Sequence, residues 1–194
     1  MTAAVLDRVA WPVHTARLVI RPATSADLLA VFEIRTLPEV AEWMPGRPTS
    51  YAEFVLRAGQ HDVLARTLVM ELDGVMIGDL YLHVTDAWAQ EDVADRAGEE
   101  AEIGWCLSPA HQGHGYVTEG AAELVRICIE DLGLRRLSAA AFADNTPSLR
   151  IMERLGMRRE NHGVRDSLHR DHGWVDGVVY AVLADEWRAA RSDR

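Results

Sequence analysis

With 194 residues, 48% hydrophobic and 26% charged, the chain has the balance of a soluble globular protein that needs neither disulfides nor metal to hold a core. A formal charge of −10 at pH 7 repels phosphate backbones and argues against nucleic acid as a partner. All twenty basic residues are arginine, which excludes lysine Schiff bases, pyridoxal-phosphate attachment and the P-loop lysine.

Met1 to Ala10 carries Asp7 and Arg8 and no long apolar run, so neither a signal peptide nor a membrane span is expected. The reading is cytoplasmic. Arg17-Leu-Val-Ile-Arg-Pro22 predicts an apolar strand stopped by proline. Thr24 or Ser25 can cap a helix carrying Leu28, Leu29, Val31, Phe32 and Ile34. Pro38, Pro45 and Pro48 break the next stretch, and Thr49 or Ser50 can cap a second helix through Phe54, Leu56 and Leu64. Thr67 to Leu72 and Val75 to Val84 read as strands joined at Asp73-Gly74, a strong hairpin signal. Asp86 to Glu100 holds six acidic residues against one arginine and reads as a solvated loop.

Ala101 to Leu107 is a predicted strand, with Ile103, Trp105 and Leu107 on one face and Glu102, Gly104 and Cys106 on the other. A helix follows from about Tyr116, with Val117, Ala121, Leu124, Cys128 and Leu132 on one side and Gly133 at its end. Leu137 to Phe142 is a further strand. Thr146 as cap and Pro147 at the first position open a short helix with Leu149, Met152 and Leu155, closed by Gly156. Two last strands, near Arg158 to Ser167 and Val178 to Leu183, flank a turn containing Asp171, Gly173 and Gly177. Strands with helices crossing between them predict a mixed α/β sheet. No repeat or linker divides the chain, so residues 1–194 read as one domain with a core of about 14–187.

Chemistry concentrates in two places. Gln112-Gly-His-Gly-Tyr-Val117 puts two glycines ahead of a helix start, whose free amides and positive dipole end suit a phosphate or pyrophosphate. A tight turn is the plainer reading of those glycines alone. After one more helix and strand comes Asp144-Asn-Thr-Pro-Ser148, a polar strand end able to reach a ligand leaving the loop, or an Asx turn with a helix cap. Cys106 and Cys128 are too few and too far apart for a metal or redox motif and read as buried thiols. His169-Arg-Asp-His172, with Asp166 and Asp176 nearby, looks like a metal cluster on paper. It lacks the spacing of a structural zinc site and reads as a hairpin turn.

Together, the glycine loop and the Asn145 motif resemble the acyl-CoA pyrophosphate loop and second cofactor motif of the GNAT acetyltransferase superfamily. Glu102-Ile-Gly-Trp105, Gly115-Tyr-Val-Thr-Glu119 and Gly173-Trp-Val-Asp-Gly-Val-Val-Tyr180 resemble its RimJ/RimL type. The resemblance runs from Arg17 to about Leu183. It implies an α/β GNAT fold, a mixed central sheet flanked by helices, with a splayed strand pair forming the acyl-CoA cleft. Acetyl-CoA is the implied cosubstrate, with no metal. Gln112, Gly113, His114, Gly115, Tyr116, Val117 and Thr118 would hold the pyrophosphate, with Asn145 and Ser148 beyond. Exposed backbone groups of Trp105, Cys106 and Leu107 would line the pantetheine arm, and one amide would polarise the carbonyl. Val117 departs from the glycine or alanine of the family pattern, and Met152 stands where many relatives have an acidic tyrosine. RimL-type members offer instead a serine, here Ser148, for the leaving thiolate.

The implied reaction is direct attack of an amine on the thioester, with neither cysteine as nucleophile. Glu102 is the candidate general base, directly or through water, provided burial raises its pKa toward neutrality. His83 is a lesser candidate, while His111 and His114 serve the loop. The acceptor is a primary amine, a protein N-terminus or a small molecule, recognised around Glu42 to Arg57, Asp86 to Gly98 and Val164 to Gly177. The oligomeric state stays open, a homodimer among the options. Two other classes compete: a catalytically silent acyl-CoA-binding module, for which Met152 argues, and a nucleotide-phosphate binder, against which the missing lysine and the Asn145 motif argue.

Overall fold

The computed structural model describes residues 5–96 and 99–192. Strand β1 (Val13–His14) pairs with β2 (Val19–Pro22), where proline ends the run. Thr24 and Asp27 then form a capping box, the Asp27 carboxylate accepting the Thr24 N–H at 2.7 Å, and lead into α1 (Leu28–Thr36) and the short α2 (Pro38–Ala41). Ser50 caps α3 (Tyr51–Ala58) by accepting the Glu53 N–H at 3.2 Å. The single helix predicted through Leu64 is broken: Gly59 closes α3, Gln60 is extended, and α4 (His61–Leu64) starts afresh.

Strands β3 (Thr67–Leu72) and β4 (Val75–Asp86) meet at the predicted hairpin, where Asp73 and Gly74 take φ of 51° and 78°. Two left-handed residues in succession match the right-handed strand twist, the reason Asp-Gly is favoured there. The acidic stretch is shorter than predicted. A 3₁₀ turn occupies Glu91–Arg96 and β5 (Glu99–Leu107) begins at Glu99, while Ala97 and Gly98 lie outside the described residues.

Helix α5 (Tyr116–Arg126) runs on as a π-turn over Ile127–Asp131, which lets Ile127, Cys128 and Ile129 all be buried before Gly133 ends it at φ 73°. Strand β6 (Arg136–Phe142) leads to α6 (Thr146–Arg154), capped by Asn145 and not by Thr146. The Asn145 Oδ1 accepts the Ser148 N–H at 3.3 Å. An Asx side chain can bridge that span while the following Thr-Pro starts the helix. The closing hairpin is longer than its turn signals suggested. Strand β7 (Arg158–His169) reaches His169 and β8 (Gly173–Leu183) starts at Gly173, so Gly177 lies within a strand opposite Gly163. Helix α7 (Ala184–Ser192) follows.

The eight strands form one mixed sheet in the order β1-β2-β3-β4-β5-β6-β8-β7. Its apolar interior on one face joins Leu80, Leu82 and Ile103 to Leu124 of α5 and Ile151 of α6. On the other face Leu28 and Val31 of α1 meet Phe54, and Ile34 meets Val40 and Cys106. Every neighbouring pair is antiparallel except β5 and β6, which are parallel and meet at only Glu100↔Arg136, Ala101↔Leu137 and Glu102↔Ser138. Beyond Glu102 the two strands part, while β5 stays paired with β4 as far as Leu107↔Gly78.

Candidate active site

The parted strands open a cavity of about 1110 Å³. It brings together all but one of the predicted site residues: Glu102, Trp105, Cys106 and Leu107 of β5; Gln112, Gly113, Gly115, Tyr116, Val117 and Thr118 of the loop and α5; and Asn145 and Ser148 at α6. His114 is the exception. Its ring stacks on Tyr116 at 5.6 Å and its Nδ1 lies 2.8 Å from the Gln112 carbonyl oxygen.

Backbone direction along β5 follows from its flanks. The Ser108 N–H donates to the Ile77 carbonyl of β4 at 2.9 Å, while the Glu99 and Ala101 carbonyls accept from Arg135 and Ser138 on the β6 side. Since backbone groups alternate in direction along a strand, Ile103, Trp105 and Leu107 turn theirs into the gap. Cys106 does not: its carbonyl faces Gly78 of β4, and only its side chain reaches the cavity. Burial, reinforced by the Asp79 carboxylate, pushes the Cys106 thiol well up, so it stays protonated and poorly nucleophilic.

At the outer end, Gly113 and Gly115 hold φ of 81° and 80°, conformations that a Cβ disfavours. The first helical bond is Glu119 N–H to the Gly115 carbonyl at 3.0 Å, and no side chain caps the helix. Among the described residues, the amides from Gly113 to Thr118 therefore have no acceptor within the chain. Six free donors at the positive end of α5, the Val117 amide among them, could hold an anion.

Sequence reasoning missed what braces this loop. The Arg17 guanidinium lies 4.5 Å from the Tyr116 ring centre and donates to the His114 carbonyl at 2.9 Å. Glu119 receives Arg17 Nε at 2.7 Å and the Thr15 hydroxyl at 2.6 Å. Burial pushes the Glu119 carboxyl up, but the bonds from Thr15 and Arg17 outweigh it and leave it below its usual range. The contact joins positions 102 residues apart, so no local spacing announces it.

Side-chain alternation sends the two catalytic candidates to opposite faces. Glu102 sits across from His83 on one side and forms the last β5–β6 pair, with Ser138, on the other, at the inner end of the gap. Its side chain is exposed, and its carboxylate has no hydrogen bond or ion pair among the described residues, so the expected burial is absent. Further along the same face, Asp79 is 1% exposed and held by Arg35, which also lines the cavity. On the other face the Trp105 indole N–H donates to the Ser148 Oγ at 3.0 Å. Met152 lies behind it in the core.

Two of the three predicted acceptor segments reach the cavity, through Glu42 to Pro45 and through Asp166 and Ser167; 86–98 contributes no described lining residue. The β7–β8 tip binds the first of these. His169 lies 2.9 Å through Nε2 from the Glu42 carbonyl oxygen and accepts the Asp171 and His172 amides on Nδ1. Arg170 donates to the Ala41 carbonyl at 2.6 Å and the Met44 carbonyl at 2.7 Å. The histidine-rich turn is thus a clamp on the end of α2.

An open strand edge facing a loop of free amides is the arrangement that the GNAT resemblance implies for its cofactor cleft. The Acetyltransferase (GNAT) domain family matches residues 17–158. The chain belongs to the GNAT acetyltransferases and is an acyltransferase. It is 26% identical to the uncharacterized N-acetyltransferase YnaD of Bacillus subtilis, over 90% of this chain and 98% of that one. A GNAT acetyltransferase from Bacillus anthracis superposes with a TM-score of 0.75 at 26% identity, covering 90% of this chain and 99% of the other. RimL, a ribosomal L7/L12 alpha-N-protein acetyltransferase solved with coenzyme A, shares the fold with a TM-score of 0.73 at 18% identity, over 89% and 97% of the two chains. No described helix is long and apolar enough to cross a membrane.

Proposed function

We propose that the chain, as one domain, transfers an acetyl group from acetyl-CoA to a primary amine by direct attack in the gap between β5 and β6. One observation carries this reading: where the parallel ladder ends, β5 offers an unpaired backbone edge to the gap, Glu102 to one sheet face and Trp105 with Ser148 to the other. A thioester in the gap then meets a base and a proton donor from opposite sides.

Each role follows from the groups present. The free amides of Gly113 to Thr118, with Gln112 beside them, receive the pyrophosphate. The gap-facing backbone of Ile103, Trp105 and Leu107 pairs with the pantetheine arm, and one of these amides polarises the carbonyl. Cys106 contributes its side chain to the wall. Asn145 uses its oxygen to cap α6, which leaves its amide N–H₂ for the ligand. The Trp105 indole occupies a lone pair of Ser148 Oγ, so the serine hydrogen is free to point at the leaving sulfur. Glu102, being exposed, takes the ammonium proton through water before attack. Glu39, Glu42, Glu102 and Asp166 give the acceptor side a negative lining suited to a cationic amine, a peptide N-terminus or a small molecule.

The silent-module alternative rested on Met152; Ser148 with its Trp105 donor supplies the group that Met152 lacks, and N-acetyltransferase relatives disfavour it further. Thiol release from acetyl-CoA across a panel of amines and peptides tests the reading. Turnover with at least one amine is expected. Tight acetyl-CoA binding without turnover on any amine overturns it in favour of a binding module.

A further inference from the structure

Three arginines stand in the cavity wall: Arg35, Arg150 and Arg154. Arg35 is held by Asp79. Arg150 and Arg154 have no carboxylate or other acceptor among the described residues. This is unusual for a wall arginine in a chain of charge −10, where Arg126 alone gathers Glu123, Glu130 and Asp131. The two lie one turn apart on α6, a spacing at which like charges repel. Glu153, between them in sequence, is directed instead to the Tyr180 hydroxyl at 3.5 Å. Two exposed, unpaired guanidinium forks one turn apart in the cavity wall offer the bidentate donors that a phosphate monoester accepts.

The glycine loop already provides neutral amides for one anion in this cavity. Acetyl-CoA carries, besides its pyrophosphate, one phosphate monoester, the dianionic 3′-phosphate of its ribose. We propose that Arg150 and Arg154 bind this 3′-phosphate and make the protein select 3′-phosphorylated CoA thioesters over dephospho forms. The proposal rests on the acetyl-CoA reading above and adds a second anion subsite to it.

CoA and dephospho-CoA differ only in that phosphate, so calorimetric titration of the protein with each is the test. The wild type is expected to bind CoA about tenfold more tightly, a difference of ~1.4 kcal/mol. The double variant Arg150→Gln/Arg154→Gln is expected to bind both ligands with the affinity of the wild type for dephospho-CoA. Arg159→Gln, an exposed arginine of β7 outside the cavity wall, is expected to keep the preference. Equal wild-type affinities overturn the proposal without using any variant. So does a double variant that weakens both ligands alike, which assigns the guanidiniums to the pyrophosphate. Failure of the wild type to bind either ligand rejects the acetyl-CoA reading itself.

Discussion

At the scale of single residues, the Trp105–Ser148 contact makes the sharpest claims. A serine hydroxyl is a weak acid, but a CoA thiolate is stable enough that one directed hydrogen bond suffices. Ser148→Ala is expected to lower kcat by roughly 10²-fold or less with little change in the KM for acetyl-CoA. Trp105→Phe keeps a ring in the wall and removes only the indole donor. It should produce a smaller loss, and almost none on top of Ser148→Ala, since both act through one hydrogen; fully additive losses in steady-state kinetics would separate the two residues. Glu102→Gln should reduce turnover, with part of the loss recovered at high pH as the acceptor amine becomes neutral without help. A pH–rate profile unchanged in height and shape would leave Glu102 a plain strand residue. The sequence offers Glu102 as a candidate by its place on the strand before the loop, and Ser148 through the resemblance to RimL-type members. The indole donor was not legible, because a 43-residue separation carries no periodic signal.

Among elements, those with a local cause were legible. The Asp73-Gly74 hairpin, the Ser50 cap and the terminal Gly133 each follow from the preference of one or two residues for a backbone conformation. The π-turn at Ile127–Asp131 was not, since burial of three consecutive residues decides it; at α6 an Asx turn was readable, but not which of the two adjacent residues Asn145 and Thr146 is the cap. The loop before α5 belongs to the legible group and gives a direct test. Gly115→Ala forces a Cβ into φ 80° and should cost about 1 kcal/mol of stability. Gly115→Asp adds a carboxylate at the anion cradle and should weaken acetyl-CoA binding at least a hundredfold; affinity surviving within a few-fold would remove the pyrophosphate from this loop. The capping box before α1 supplies a pH test. The Arg21 guanidinium, with the Thr24 amide and hydroxyl, holds the Asp27 carboxyl at about 2, below its usual 3.8. A depressed folded pKa means that the unfolded chain binds the proton more readily, so the stabilisation is full above pH 3.8 and is lost as pH falls toward 2. Discounted for partial exposure it amounts to roughly 1–2 kcal/mol. Asp27→Asn should flatten that part of the acid-unfolding curve.

For the molecule as a whole, the order of elements predicted a mixed sheet, but neither where it opens nor what holds its walls. Arg17 reaching His114, and Arg170 clasping Ala41, join segments far apart in sequence, and such pairings are set by the packed chain alone. The short β5–β6 ladder has a consequence for stability. Three residue pairs tie a block of five strands to a block of three, so the sheet is a two-leaf structure with a narrow spine. A pantetheine arm lying along Ile103, Trp105 and Leu107 would act as a missing ninth strand that fastens both leaves. Ligand and fold are then coupled by mass action: at a hundredfold excess over Kd the bound form gains about 2.7 kcal/mol. Deuterium exchange reads that coupling directly. The amides of Trp105 and Leu107 should exchange freely in the apo protein and slow sharply with acetyl-CoA, while Leu80 and Leu82, already within the larger leaf, should change far less. Uniform slowing across both strands would mean that the ligand tightens the whole molecule and leaves no seam of its own.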